Sequence, residues 1–144
     1  MKQELLVQNE ALSIQQRADE QCCQLAQRYG LSLTQAQLKT LQEARKEALE
    51  DTGRLEFGPG VLPDLVYAFC DSPFLERDGF AGFLREAQAL FYALKNETAD
   101  ALSDAELISV MEKLFNGEAQ GSLEYLAETS PERLVRIALG KEKE

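Results

Sequence analysis

The sequence predicts an all-α fold, an irregular or orthogonal bundle of five to seven helices with at most a scrap of β-structure near residues 54–57. Three observations carry this. Apolar residues recur at steps of three and four along most of the chain, as they do on one face of a helix. Ser and Thr stand where helix caps belong, and two of them begin complete capping boxes. Gly and Pro punctuate the segments at short intervals. At 144 residues the chain is read as one domain over 1–144, with frayed ends near 1–8 and 141–144.

The first helix is expected over about residues 10–29, where Ile14, Ala18, Cys22, Leu25 and Tyr29 share a face, and it stops at Gly30. Thr34 then caps a second helix, with Gln37 as its capping-box partner and Leu33 and Leu38 placed to staple the first turn. This helix should run to about Asp51 and end before Gly53. The segment Gly53-Arg54-Leu55-Glu56-Phe57-Gly58-Pro59-Gly60 is a loop, and the alternation of Leu55 and Phe57 with charged residues is what suggests a strand fragment. Pro63 can open a short helix through Leu65, Val66 and Phe69. Asp71-Ser72-Pro73 breaks the chain and restarts it, with Ser72 as the next cap. A further helix covers 79–95. Ser103 and Glu106 form the second capping box, flanked by Leu102 and Leu107, and Gly117 ends that helix near Phe115. A helical turn follows Ser122, and Ser130-Pro131 opens a last helix that reaches Gly140.

Composition excludes several kinds of chemistry. With 15 Lys+Arg against 25 Asp+Glu the net charge is −10, which opposes binding to DNA or RNA. There is no His, the commonest general base and metal ligand. The three Cys, at 22, 23 and 70, form no disulfide framework, and Cys22 and Cys23 leave a helix in different directions. One is expected to pack as a small hydrophobe and the other to be partly exposed. No signal peptide and no membrane-spanning run is apparent, so a reduced, cytoplasmic, soluble protein is expected.

Each catalytic or metal template fails on inspection. Asn96, Thr98 and Asp100 alternate like the opening ligands of a calcium loop, but Ala101 and Leu107 stand where its glycine and bidentate acid belong. Gly58-Pro59-Gly60 is followed by no Lys-Ser/Thr pair and so is no phosphate-binding loop. No nucleophile motif is present. Accordingly no catalytic, cofactor-binding or metal-ligating residue is assigned, and no metal or cofactor is expected.

Three segments, Gly53 to Gly58, Ala68 to Pro73 and Phe91 to Thr98, together with Gln120 to Glu124, resemble a small uncharacterised family of Gram-positive bacterial proteins. The resemblance spans about residues 25–130. It implies a bacterial, cytoplasmic origin and assigns no activity.

Two functional readings remain. The favoured one is a non-enzymatic protein-interaction or regulatory protein that acts through a helical surface on a protein partner or on itself, a homodimer included. The alternative is a small enzyme or ligand-binding protein with a pocket near the 53–73 loops, using Arg54, Glu56 and Asp71. A salt-bridged loop clamp accounts for the same three residues. The 79–95 helix supplies interface candidates. Phe80, Phe83, Leu84, Ala87, Leu90, Phe91 and Leu94 form its core stripe, while Gly82, Ala89 and Ala93 make a small-residue face with Tyr92 on the shoulder. That small face is expected to be covered, by another helix of the bundle or by a second copy.

Overall fold

Seven α-helices follow one another in a computed structural model that describes residues 2–58 and 60–141, with side chains from Ile14 onward. They are α1 (Lys2–Arg28), α2 (Gln35–Thr52), α3 (Leu62–Phe69), α4 (Phe80–Glu97), α5 (Asp104–Asn116), α6 (Leu123–Glu128) and α7 (Pro131–Ala138). A single 3₁₀ turn, Arg77–Gly79, precedes α4. Among the described residues there is no strand.

Local sequence signals set most boundaries. Thr34 Oγ1 accepts from the Gln37 backbone N–H at 3.1 Å, and Gln37 Oε1 accepts from the Thr34 N–H at 2.9 Å. Ser103 and Glu106 repeat this reciprocal pair at the same two distances. Both boxes satisfy amides that a helix start otherwise leaves unpaired. Their flanking leucines, Leu33 with Leu38 and Leu102 with Leu107, are all buried. Ser122 and Ser130 cap α6 and α7, and Pro63 lies in the first turn of α3.

Three expectations need correcting. The first helix begins at Lys2 rather than near residue 10; the added stretch is made mostly of strong helix formers. Met1, Pro59 and residues 142–144 lie outside the described residues, and with them most of the expected C-terminal fray. Ser72 does not cap a helix. Its hydroxyl donates to Asn116 Oδ1 at 2.6 Å and accepts from the Phe74 N–H at 3.3 Å, so it ties a turn to α5 instead. Residues 54–57 alternate as the sequence suggests, but no neighbouring strand offers a ladder and the segment stays irregular.

Helix α4 is the axis of the bundle, packed against α2, α3, α5 and α6. Its core stripe is buried as expected, except for a half-buried Leu90, and burial continues round the helix to Gln88, Tyr92 and Lys95. Gln88 donates from Nε2 to the Leu41 carbonyl at 3.0 Å and so stitches α4 to α2. Within the single chain the small face is only partly covered. Gly82 and Ala89 are exposed and Ala93 is half-buried. Tyr92, by contrast, is wholly buried.

Candidate interaction site

The loop between α2 and α3 carries charges that turn inward and apolar side chains that turn outward. Gly53, at φ 68°, ends α2 in the left-handed conformation that favours glycine, and the chain then extends across the side of the bundle. Arg45, projecting from the middle of α2, holds the loop in three places. Its Nε donates to Glu56 Oε1 at 2.9 Å, and its two terminal nitrogens donate to the Gly58 carbonyl at 3.1 Å and the Glu56 carbonyl at 3.3 Å. The Tyr92 hydroxyl of α4 donates to the same Glu56 oxygen. Burial, and then the Glu56 carboxylate, push the Tyr92 hydroxyl far above its ordinary pKa, so it stays a proton donor. Gly60 completes the clamp at φ 72°. A Cβ there would stand 2.5 Å from Glu56 Oε1 and 2.6 Å from Arg45 Nε.

Arg54 makes a second clamp. Its guanidinium takes both oxygens of Asp100, at 2.6 and 3.2 Å, and donates to Asn96 Oδ1 at 2.7 Å. Asn96 in turn donates to the Thr52 carbonyl at 2.8 Å. The hydrogen bond from Arg54 holds the Asp100 carboxyl below the usual carboxylate range. Ala99 and Asp100 both have positive φ, 52° and 58°, which is costly for residues with a Cβ and which swings Asp100 back toward Arg54. Behind it the buried Lys95 ammonium donates to the Leu102 carbonyl at 2.8 Å and pairs with Asp104 at 3.0 Å. The Asn96–Asp100 stretch that resembles the start of a calcium loop thus sets its Asp100 between two protein cations, Arg54 and Lys95. Among the described residues no group of three His, Cys, Asp or Glu is placed to hold a metal ion.

The three pocket candidates therefore separate. Arg54 and Glu56 enter two different clamps, and Asp71 sits exposed beyond the far end of α3, where its charge is felt by Glu112 of α5. Of the interface candidates, Tyr92 joins the Glu56 clamp, while Gly82 walls an open groove of about 320 Å³ with Ala36, Thr40 and Leu41. Ala89 and Ala93 make no part of either clamp. Sequence reading missed Arg45, whose role depends on an acid 11 residues away across a loop and is marked by no motif. Cys22 is buried and Cys23 half-exposed, with burial pushing the Cys22 thiol up to about 11.

With both charges turned inward, Leu55 and Phe57 are left 90% and 89% exposed, the most exposed large apolar side chains among the described residues. A loop held at both Arg45 and Arg54 has little freedom to fold them away. A model described as a family of unknown function, DUF6323, matches residues 20–143. The chain belongs to that family. No curated protein and no solved structure matches it. No helix among the described residues is long and apolar enough to cross a membrane.

Proposed function

We propose that this protein is a non-enzymatic, cytoplasmic interaction or regulatory protein that docks on a protein partner through the 53–58 loop. The observation that carries the reading is the outward display of Leu55 and Phe57 on a doubly clamped loop. Contiguous apolar surface left exposed on a soluble protein marks interaction sites. A loop already fixed by ion pairs and backbone hydrogen bonds has little ordering entropy left to lose on binding. An aromatic and a leucine entering a partner pocket supply the kind of anchor on which interface energies depend. The net charge of −10 disfavours nucleic acid as that partner.

Photo-crosslinking in the source cell tests this directly. Benzoylphenylalanine in place of Phe57 should give one discrete adduct, and the same probe at the exposed Tyr67 of α3 should give none. An adduct with a different protein or with a second copy supports docking through the loop. No adduct at 57, or equal adducts at both positions, refutes it.

A further inference from the structure

A second surface follows α3 in the chain and shares no residue with the 53–58 loop. The turn after α3, the start of α4, the end of α5 and the α5–α6 connection enclose an open groove of about 430 Å³. Its floor is aromatic. Phe83 and Phe115 are buried with ring centres 5.0 Å apart, and Phe74 stands edge-on to Phe115 at 6.2 Å while remaining 42% exposed. Phe74 is held in that position. Ser72 accepts its backbone N–H and anchors to Asn116, and Gly121 presses against the ring from the other wall. With φ at +85°, and with a Cβ that would lie 2.7 Å from the Phe74 Cβ, position 121 admits only glycine comfortably.

The rim of this groove is acidic. Glu76, Glu86 and Glu124 line it, all are exposed, and none has an ion-pair partner among the described residues. This differs from the Arg54 and Lys95 region, where acids and bases are matched. An apolar floor with an unmatched anionic rim selects its occupant by charge complementarity. A second copy of a chain with net charge −10 would be repelled, whereas a cationic segment would be drawn in. We infer that the Phe74 groove docks a basic, amphipathic segment of a partner protein, an apolar or arginine side chain resting on Phe74 while flanking Lys or Arg residues pair with Glu76, Glu86 and Glu124. An arginine over the Phe74 ring would add a cation–π contact.

The probe is a fluorescent twelve-residue peptide of leucine and lysine in helical alternation, titrated against the full chain. Binding is expected to weaken as salt is raised and to shift the backbone amide resonances of Phe74, Gly79, Gly121 and Ser122. The triple variant Glu76→Lys, Glu86→Lys, Glu124→Lys should lose about tenfold or more in affinity. The control triple Glu43→Lys, Glu47→Lys, Glu50→Lys changes net charge equally on exposed sites of α2 and should change affinity far less. Phe74→Ala and the milder Glu86→Gln keep the proposal testable if the triple variant does not fold, and each should weaken binding. Equal losses in the two triples, or amide shifts spread over the whole surface, would show attraction to net charge alone and overturn the site. So would a wild-type dimer that the rim triple dissociates, because a second copy would then be the occupant.

Discussion

The two linkers that flank α3 are built in opposite senses. The one before it, residues 53–60, is held by charge: Arg45 grips Glu56 and Arg54 grips Asp100, so the apolar Leu55 and Phe57 have no inward role and face solvent. The one after it, residues 70–79, is held by a phenyl ring and a hydroxyl: Phe74 lies on Phe115 and Ser72 on Asn116, so its carboxylates face solvent unpaired. In the first linker the anchoring charges turn inward and leave apolar side chains on the surface, whereas in the second Ser72 is buried and Phe74 keeps part of its ring exposed among acidic side chains. One linker thus presents apolar knobs and the other an acid-rimmed groove.

Removing the aromatic anchor of the second linker should have the largest effect. Phe115 is buried and packs against Phe69, Phe74 and Phe83. Phe115→Ala is expected to cost about 3–5 kcal/mol in denaturant unfolding. A loss under about 1 kcal/mol would mean that the ring cluster does not hold this linker.

For the first linker, Arg45→Ala removes three hydrogen bonds and leaves a partly buried Glu56 with only Tyr92. The expected cost is about 1–3 kcal/mol, with faster amide exchange over 54–58. Arg45→Lys should not restore protection, because one ammonium cannot reach Glu56 and two carbonyls in the fork geometry of a guanidinium. Full protection in either variant would show that the loop is held by something else.

A smaller effect separates the two clamps by pH. Asp100 has its folded-state pKa depressed by Arg54, so its contribution is present above the ordinary carboxylate value of 3.8 and is lost as pH falls through the lower folded value. Arg54→Ala should cost less than Arg45→Ala at neutral pH and should flatten the acid limb of the stability curve below about pH 4. An unchanged acid limb would mean that the Arg54–Asp100 pair does not form in solution.

The smallest effect belongs to Glu112 beside the second linker, where the sign reverses. Burial, and then the charge of Asp71, raise its pKa above the ordinary 4.5. The native state therefore holds its proton more tightly than the unfolded chain, and stability declines as pH rises through that window. Glu112→Gln should raise the melting temperature slightly at pH 7, by less than about 1 kcal/mol of stability in a solvent-screened setting. At pH 4 it should change nothing. A destabilised variant at pH 7 would show that the Glu112 carboxylate makes a favourable contact.

Much of the fold was legible because its signals are short. The Thr34–Gln37 and Ser103–Glu106 boxes, the Pro63 and Pro131 starts and the Gly53 stop act within three or four residues, where backbone geometry alone decides the outcome. The α4 stripe was legible for the same reason, since side chains at steps of three and four share a face on any helix. What covers the small face of α4 was not decided by its sequence, because a helical wheel shows which residues lie together but not which side a neighbour takes.

The sequence by itself thus determined the all-α class, the caps and the main core stripe, along with an inward–outward alternation at 54–57. It left open which set of that alternation would face inward. Tertiary structure decided that, by placing Tyr92, Asn96 and Asp100 beside a loop 36 to 46 residues earlier in the chain. It likewise brought Phe74, Phe115 and Gly121 to one groove from three separate segments. The physical reason is range. A cap or a stripe is fixed by neighbours along the helix, whereas an ion pair or a ring contact forms only once distant helices have packed, and helix packing follows the whole buried surface.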